Sequence, residues 1–401
     1  MGMPLTSIEN TGADDGSPIS ESPGVLLPGI SGLYESDPRQ DLPDGVIISH
    51  AHIDHYGLIS FIRPELPVYS GAATKHLIEQ TALFTGKSYR SPKWISFKHG
   101  VSFECGKFSI TPYLVDHSAF DAYAFLIEVE DKRIVYTGDF RDHGRKAMAL
   151  NRLLESIKPG IDALLMEGTV LGRTKEHSIR EEELEDQIVA IIQDNPGMTF
   201  FQCSGQNIDR LVSFYKASLR LEKHFVIDVY TASILDTVKD YAKIPYPSKH
   251  YPNMKVFYPY WLCQRIEKLG RRDILYHYKQ FRISREELSR VYPQVTMLVR
   301  PSMLSDLKKM SFIKGANYIY SMWQGYLKEH SMQGMLQLIT DSQMCFHTVH
   351  SSGHGSTATL QKVVDSLKLE KLIPIHTLHP ELYKGFGAYT ITLKDRETIT
   401  L

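Results

Sequence analysis

Cysteine is scarce in this 401-residue sequence: four residues, Cys105, Cys203, Cys263 and Cys345, and no C-x-x-C pair. They offer no cysteine metal or redox motif and read as buried small hydrophobes of a reducing compartment. Net charge is also lacking, at −1, so overall electrostatics announce no polyanion partner, and a nucleic-acid surface would have to be a local patch. No apolar run approaches the roughly 18 residues of a membrane span. The first residues, MGMPLTSIENTGADDGSP, have neither the basic nor the apolar region of a signal peptide. A soluble cytoplasmic protein with no membrane partner is expected. What is present is ordinary globular composition, 42% hydrophobic and 23% charged, without repeats. That length and composition suit two packed cores, as one large domain with an insertion or as two domains.

Residues 1 to 45 are loop-like, with "GVLLPGI" as an apolar island. Short apolar runs then alternate with turn signals: Val46–Ile48, Phe108–Ile110, Tyr123–Val129, Ile134–Thr137 and Ala163–Met166. Between them "TKHLIEQTALF" has helical spacing. A second helix is expected to start at Ser178, capped by the Ser178/Glu181 pair and stopped at Asn195-Pro196-Gly197. Strand, turn and helix then alternate through "MTFFQCSGQNIDRLVSFYKAS" and "HFVIDVYTASILDTVKDY", which predicts a small parallel-sheet module. The stretch 261–290 is helical and basic, and the end of the chain reads strand, glycine loop, helix, strand.

"SHAHIDHYG", residues 49 to 57, crowds three histidines and an aspartate behind the apolar Val46-Ile47-Ile48. His50 and His52 share a face of an extended segment, and a reversal after His52 returns Asp54 and His55 to the same point. Imidazoles and a carboxylate at this spacing suit Zn²⁺, with Mn²⁺ as the alternative. Further candidates stand just past other apolar runs: His117 in "LVDHS", Asp139 in "YTGDF", Glu167 in "LLMEGT" and His376 in "IPIHT".

HxHxDH at His50 to His55, followed by His117 in "DHS" and Asp139 in "TGD", resembles the metallo-β-lactamase superfamily. "MEGT" with Glu167, "CSGQNIDRL", "HSSGH" at His350 to His354 and "IPIHT" with His376 resemble its β-CASP branch, the nucleases that include ribonuclease J. The resemblance implies an α/β fold, an αββα sandwich with an inserted α/β domain. It sets residues 1–172 and 346–401 as the lactamase-like domain and 173–345 as the insert.

It also implies two divalent cations, one on His50, His52 and His117, the other on Asp54, His55 and His376, with Asp139 between them. Hydroxide activated by the pair would attack a scissile phosphate, and His354, held by Glu167, would protonate the leaving oxygen. Asp54, Glu167 and His354 are thus the catalytic set, while His350, Ser351, Ser352 and Gly353 would contact phosphate. A histidine at position 376 is associated with RNA-processing members, so the implied activity is an endo- or 5′-exoribonuclease on single-stranded RNA. A DNA nuclease, a lactamase- or glyoxalase-type hydrolase and an inactive homologue acting as a binding module are the alternatives. A homodimer fits relatives of this kind.

His379, His143 and His177 read as loop, turn or surface residues. The stretch "QRIEKLGRRDILYHYKQFRISREELSR" interleaves cations with Tyr276, Tyr278 and Phe281, and reads as a solvated face or as the charged lip of a cleft. Family members begin with two strands, the second ending in an aspartate that orients metal ligands. This sequence opens as if just after that aspartate. Two such strands with their turns would occupy roughly 25 to 30 residues, so their absence by truncation or a misplaced start is expected.

Overall fold

The computed structural model describes residues 30–34, 42–86, 93–173, 178–394 and 397–401. Most of the N-terminal loop-like stretch, with its apolar island, and His177 lie outside them. The chain divides into two compact units, one of residues Met1–Ser178 and Gly353–Leu401, the other Ile179–Ser352.

The first unit is layered. Strands Val46–Ile47, Pro67–Gly71 and Lys93–Phe97 form a parallel three-stranded sheet. A six-stranded sheet runs Lys371–Ile375, Ala163–Glu167, Lys132–Tyr136, Tyr123–Val129, Phe108–Leu114, Phe103–Cys105. The central Tyr123–Val129 shows why the layers form. It is apolar on both faces, and alternate side chains leave a strand in opposite directions. Tyr123 and Phe125 pack with Tyr69 and Phe97 of the smaller sheet. Ala124 and Leu126 pack instead with Leu150 and Leu153 of helix Met148–Ser156 and Leu360, Val363 and Leu367 of helix Thr357–Leu367. Helix Ala72–Thr85 covers the other side, burying Ala73, Leu77 and Ile78, so the order is helix, sheet, sheet, helices.

Strand direction then decides where chemistry can gather. Tyr123–Val129 is antiparallel to both neighbours, while Lys132–Tyr136, Ala163–Glu167 and Lys371–Ile375 run parallel. Four strands therefore end at one rim: Phe108–Leu114, Lys132–Tyr136, Ala163–Glu167 and Lys371–Ile375.

The second unit holds a wholly parallel six-stranded sheet. Its order is Met254–Phe257, His224–Asp228, Val295–Leu298, Thr199–Gln202, Asn317–Tyr320, Cys345–Thr348. Helices connect several successive strands, as the βα alternation of the sequence predicts. Asn207 and Asp228 cap two of them, accepting from the amides of Arg210 and Thr231.

The expected Ser178/Glu181 capping box does not form. The helix is Glu181–Asp194, and Arg180 at its N-cap makes no side-chain cap. The Glu181 carboxylate is instead fully buried, receiving Arg210 Nε at 3.3 Å, Arg210 Nη2 at 3.2 Å and Ser213 Oγ at 2.8 Å. Two parallel guanidinium bonds outcompete a single backbone amide for that carboxylate. Arg210→Ala would leave it buried and unmatched, so a loss of about 3–5 kcal/mol of stability is expected in urea unfolding.

The cysteine expectation is corrected as well. All four are free, Cys105 and Cys203 are buried, but Cys263 is half-buried and Cys345 is exposed on the sheet's last strand. Among the described residues, no helix is long and apolar enough to cross a membrane.

Candidate metal centre

The loop after Val46–Ile47 is fixed by the bond from Ile48 N–H to the Tyr69 carbonyl. It carries Ser49, His50 and His52, and the short helix Ile53–Tyr56 then turns Asp54 and His55 back toward them. His117 stands beyond Phe108–Leu114, Asp139 beyond Lys132–Tyr136, Glu167 ends its strand and His376 follows Lys371–Ile375. Candidate ligand atoms meet within 4.8 Å in four overlapping groups: His50/His52/His117, His50/His55/Asp139, Asp54/His55/His376 and Asp139/Glu167/His354/His376. Every residue expected to ligate metal is in this cluster, together with His354, the expected proton donor, and its expected partner Glu167.

The imidazoles are held by their outer nitrogens. His117 Nδ1 lies 2.6 Å from the Gly353 carbonyl, which only accepts, so Nδ1 carries the proton and Nε2 keeps its lone pair. Thr169 Oγ donates to the His376 carbonyl and lies 2.6 Å from His376 Nδ1, leaving His376 Nε2 at 3.4 Å from Asp54 Oδ2. Ser49 Oγ lies 3.1 Å from His50 Nδ1 and 3.4 Å from His55 Nδ1. His55 Nε2 is 3.1 Å and His50 Nε2 3.8 Å from Asp139 Oδ2. His50 Nε2 is buried without a hydrogen-bond partner. An orphaned imidazole nitrogen among other imidazoles and carboxylates is a donor set that fits a divalent cation.

Burial, reinforced by neighbouring histidines, pushes His50 well below its ordinary pKa. Burial pushes His117 the same way, and takes His52 down to about 4. These rings are neutral bases with lone pairs to give. Burial alone would raise Asp139, but His55, His354 and His376 hold it well below the usual carboxylate range. Asp54 likewise resists burial through His376 and His55 and lies at about 2. His354 differs: burial opposes its charge, yet the Glu167 carboxylate, 3.1 Å from Nδ1 through each oxygen, raises it to about 9. Glu167 is fixed in turn by the amides of Phe140 (3.2 Å) and Thr169 (3.1 Å).

The "HSSGH" residues part company. Gly353 sits with its carbonyl on His117, and a Cβ there would come within 2.5 Å of Ser118 Oγ, so a larger residue would require the Ser118 hydroxyl to move. Ser351 is buried, and its hydroxyl donates to the Ile179 carbonyl at 2.6 Å. His350, Ser351 and Ser352 belong to the second unit, His354 to the first. His379 pairs with Glu381 at 3.0 Å outside the cluster, and His143 is a buried bend residue rather than a surface one.

Four contributors were missed in the sequence: Ser49, Thr169, and the buried pair Asp116 and Arg141. Arg141 Nε reaches Asp116 Oδ1 at 3.2 Å and Arg141 N–H the Asp116 carbonyl at 2.7 Å, tying the segment before His117 to the one after Asp139. Their neighbours in the motifs, "SHAH", "MEGT", "VDHS" and "GDFR", were the available signal.

Residues 28–194 match the model of a β-lactamase superfamily domain. Ribonuclease J of Sinorhizobium meliloti is 24% identical over 387 residues, covering 91% of this chain and 64% of its own length. Ribonuclease J of Mycobacterium tuberculosis is 26% identical over 218 residues, 49% of this chain and 38% of its own. The chain thus spans less than two thirds of these relatives. A crystal structure of a protein of unknown function from Enterococcus faecalis V583 superposes with a TM-score of 0.75 at 23% identity, covering 94% of this chain and 87% of that one, and so shares the fold. In that domain and over those spans, the chain is thus similar to the β-lactamase superfamily and to ribonuclease J proteins.

Proposed function

We propose that the protein is a metal-dependent phosphodiester hydrolase acting on single-stranded RNA. The observation that carries this reading is the convergence of His50, His52, Asp54, His55, His117, Asp139 and His376 beside the His354–Glu167 pair. His50, His52 and His117 would hold one divalent cation and Asp54, His55 and His376 a second, with Asp139 shared; zinc suits the imidazole-rich set. When bound, the cations would lower the pKa of a water toward neutrality and offset charge growing on the phosphoryl oxygens.

The remaining work falls to the chain. Ser49, Thr169 and the Gly353 carbonyl turn imidazole lone pairs inward before any cation arrives. His354 engages Glu167 through Nδ1, so Nε2 is the atom with a proton to give to the leaving oxygen. RNA rather than DNA as substrate is supported by the ribonuclease J relatives and by histidine at position 376.

The direct test compares the protein with His52→Ala and Asp54→Ala on single-stranded RNA and DNA bearing 5′-phosphate or 5′-hydroxyl ends, with metal content measured alongside. RNA cleavage that requires both residues is expected. Cleavage surviving both substitutions would sink the reading, and DNA cut faster than RNA would reassign the substrate. Ser49→Ala should weaken metal retention about 10–100-fold in chelator competition, whereas Ser49→Thr, which keeps the hydroxyl, should largely restore it.

A further inference from the structure

The second unit contains a cavity of about 700 Å³ beside helices Tyr260–Lys268 and Arg272–His277, within the roughly 300–1,000 Å³ common for small-molecule sites. Its lining includes the buried Phe257 and Ile283, and the Ile283 N–H donates to the carbonyl of Val256, the residue before Phe257. Tyr258, Tyr260 and Tyr276 add aromatic faces, and Tyr260 and Tyr276 are 51% and 67% exposed, unusual for rings that border a pocket without a partner.

Cations outnumber carboxylates around it. Arg272 is matched by Glu267 at 3.6 Å and Arg285 by Glu286 at 3.8 Å. Lys279, Arg282 and Lys309 also line the cavity, against the one further carboxylate of Asp306, which accepts the Tyr260 N–H. The Arg282 guanidinium lies 5.2 Å from the Tyr258 ring centre and the Lys309 ammonium 5.8 Å from that of Tyr260. Positive charge is thus interleaved with flat π surfaces. Burial pushes both the Cys263 thiol and the Tyr258 phenol up to about 12, so each keeps its proton at neutral pH.

We propose that this cavity binds a nucleoside phosphate, its base stacked on the exposed tyrosines and its phosphate facing Lys279, Arg282 and Lys309. Stacking accepts any base, and guanidinium and ammonium groups are the natural partners of phosphate oxygens. An aliphatic acid would leave the tyrosine faces unused, and a neutral aromatic would leave the excess charge unmatched. The nucleotide can come free or as one unit of an RNA strand. The proposal rests on the second unit alone and does not depend on the hydrolase reading.

The test is equilibrium dialysis of the full chain, in chelator, against AMP, adenosine, inorganic phosphate and a short 5′-hydroxyl oligoadenylate. AMP is expected to bind about tenfold or more tightly than adenosine or phosphate, since it engages both halves of the cavity. Lys279→Ala, Arg282→Ala and Tyr276→Ala should each weaken it about tenfold. Lys279 and Tyr276 are exposed, so their variants test the site even if Arg282→Ala unfolds. Oligoadenylate bound without AMP, and weakened by the same variants, also supports the proposal and names the strand as the source. AMP binding no tighter than phosphate together with oligoadenylate indifferent to the variants, or AMP binding indifferent to them, overturns it.

Discussion

Asp139→Ala is expected to slow RNA hydrolysis by about 1,000-fold or more and to strip most of the bound metal. Its Oδ2 lies 3.1 Å from His55 Nε2 and 3.8 Å from His50 Nε2, while Oδ1 lies 3.8 Å from His376 Nδ1. One carboxylate therefore touches histidines assigned to both cation positions. It is 3% exposed, and the surrounding imidazoles keep it ionised. Losing it would remove the carboxylate proposed to be shared by the two cation positions, and its negative charge with it. His52→Ala, by contrast, deletes one neutral ligand from one position and should cost less. Asp139→Asn separates the two contributions, because the amide keeps size and one acceptor oxygen but not the charge. It should fall nearly as far as alanine. Metal per protein after dialysis and cleavage rates of end-labelled RNA measure both effects, with the thermal midpoint as a folding control. An asparagine variant with full metal content and rate would refute a shared charged ligand.

The candidate ligand set was legible in the sequence because each member stands just after an apolar run. Once runs become strands, the β order does the gathering: the strands before His117, Asp139 and His376 end on one rim, as does Glu167. The hydroxyls that aim the imidazoles were not legible. A serine before a histidine, or a threonine in "MEGT", fits any turn, and only the tertiary meeting of Thr169 with His376, 207 residues away, gives it a task. The capping box failed for the complementary reason, since a local pattern promised Glu181 to its own helix while Arg210 offered two bonds in a buried setting. Tyr278 in the basic stretch misled similarly: it is 2% exposed and packs inside, and the accessible ring is Tyr276. Short-range rules fail where a distant charged partner competes for the same side chain.

His354→Ala carries the second large effect, an expected loss of about 100–10,000-fold on RNA with metal content unchanged. Geometry alone admits two tasks for this ring, because its nitrogen also lies within ligand distance of Asp139, Glu167 and His376. The Glu167 contact separates them. A ring bound through Nδ1 to a carboxylate and raised to about 9 carries a proton at neutral pH, which suits an acid and disfavours a ligand. Leaving-group chemistry makes the difference measurable. A ribose alkoxide must be protonated as it departs, whereas a nitrophenolate is stable without help. His354→Ala should therefore lose far more on RNA than on a bis(nitrophenyl) phosphate, and loss of metal instead would make the ring a ligand. Glu167→Gln isolates the carboxylate's share. It keeps an acceptor for Nδ1 but removes the charge, so burial prevails and the His354 pKa falls. The pH at which activity declines on the basic side should then move downward, with the rate at acidic pH the least affected. A basic limb unmoved in that variant would deny His354 the proton, whatever its distance from Glu167.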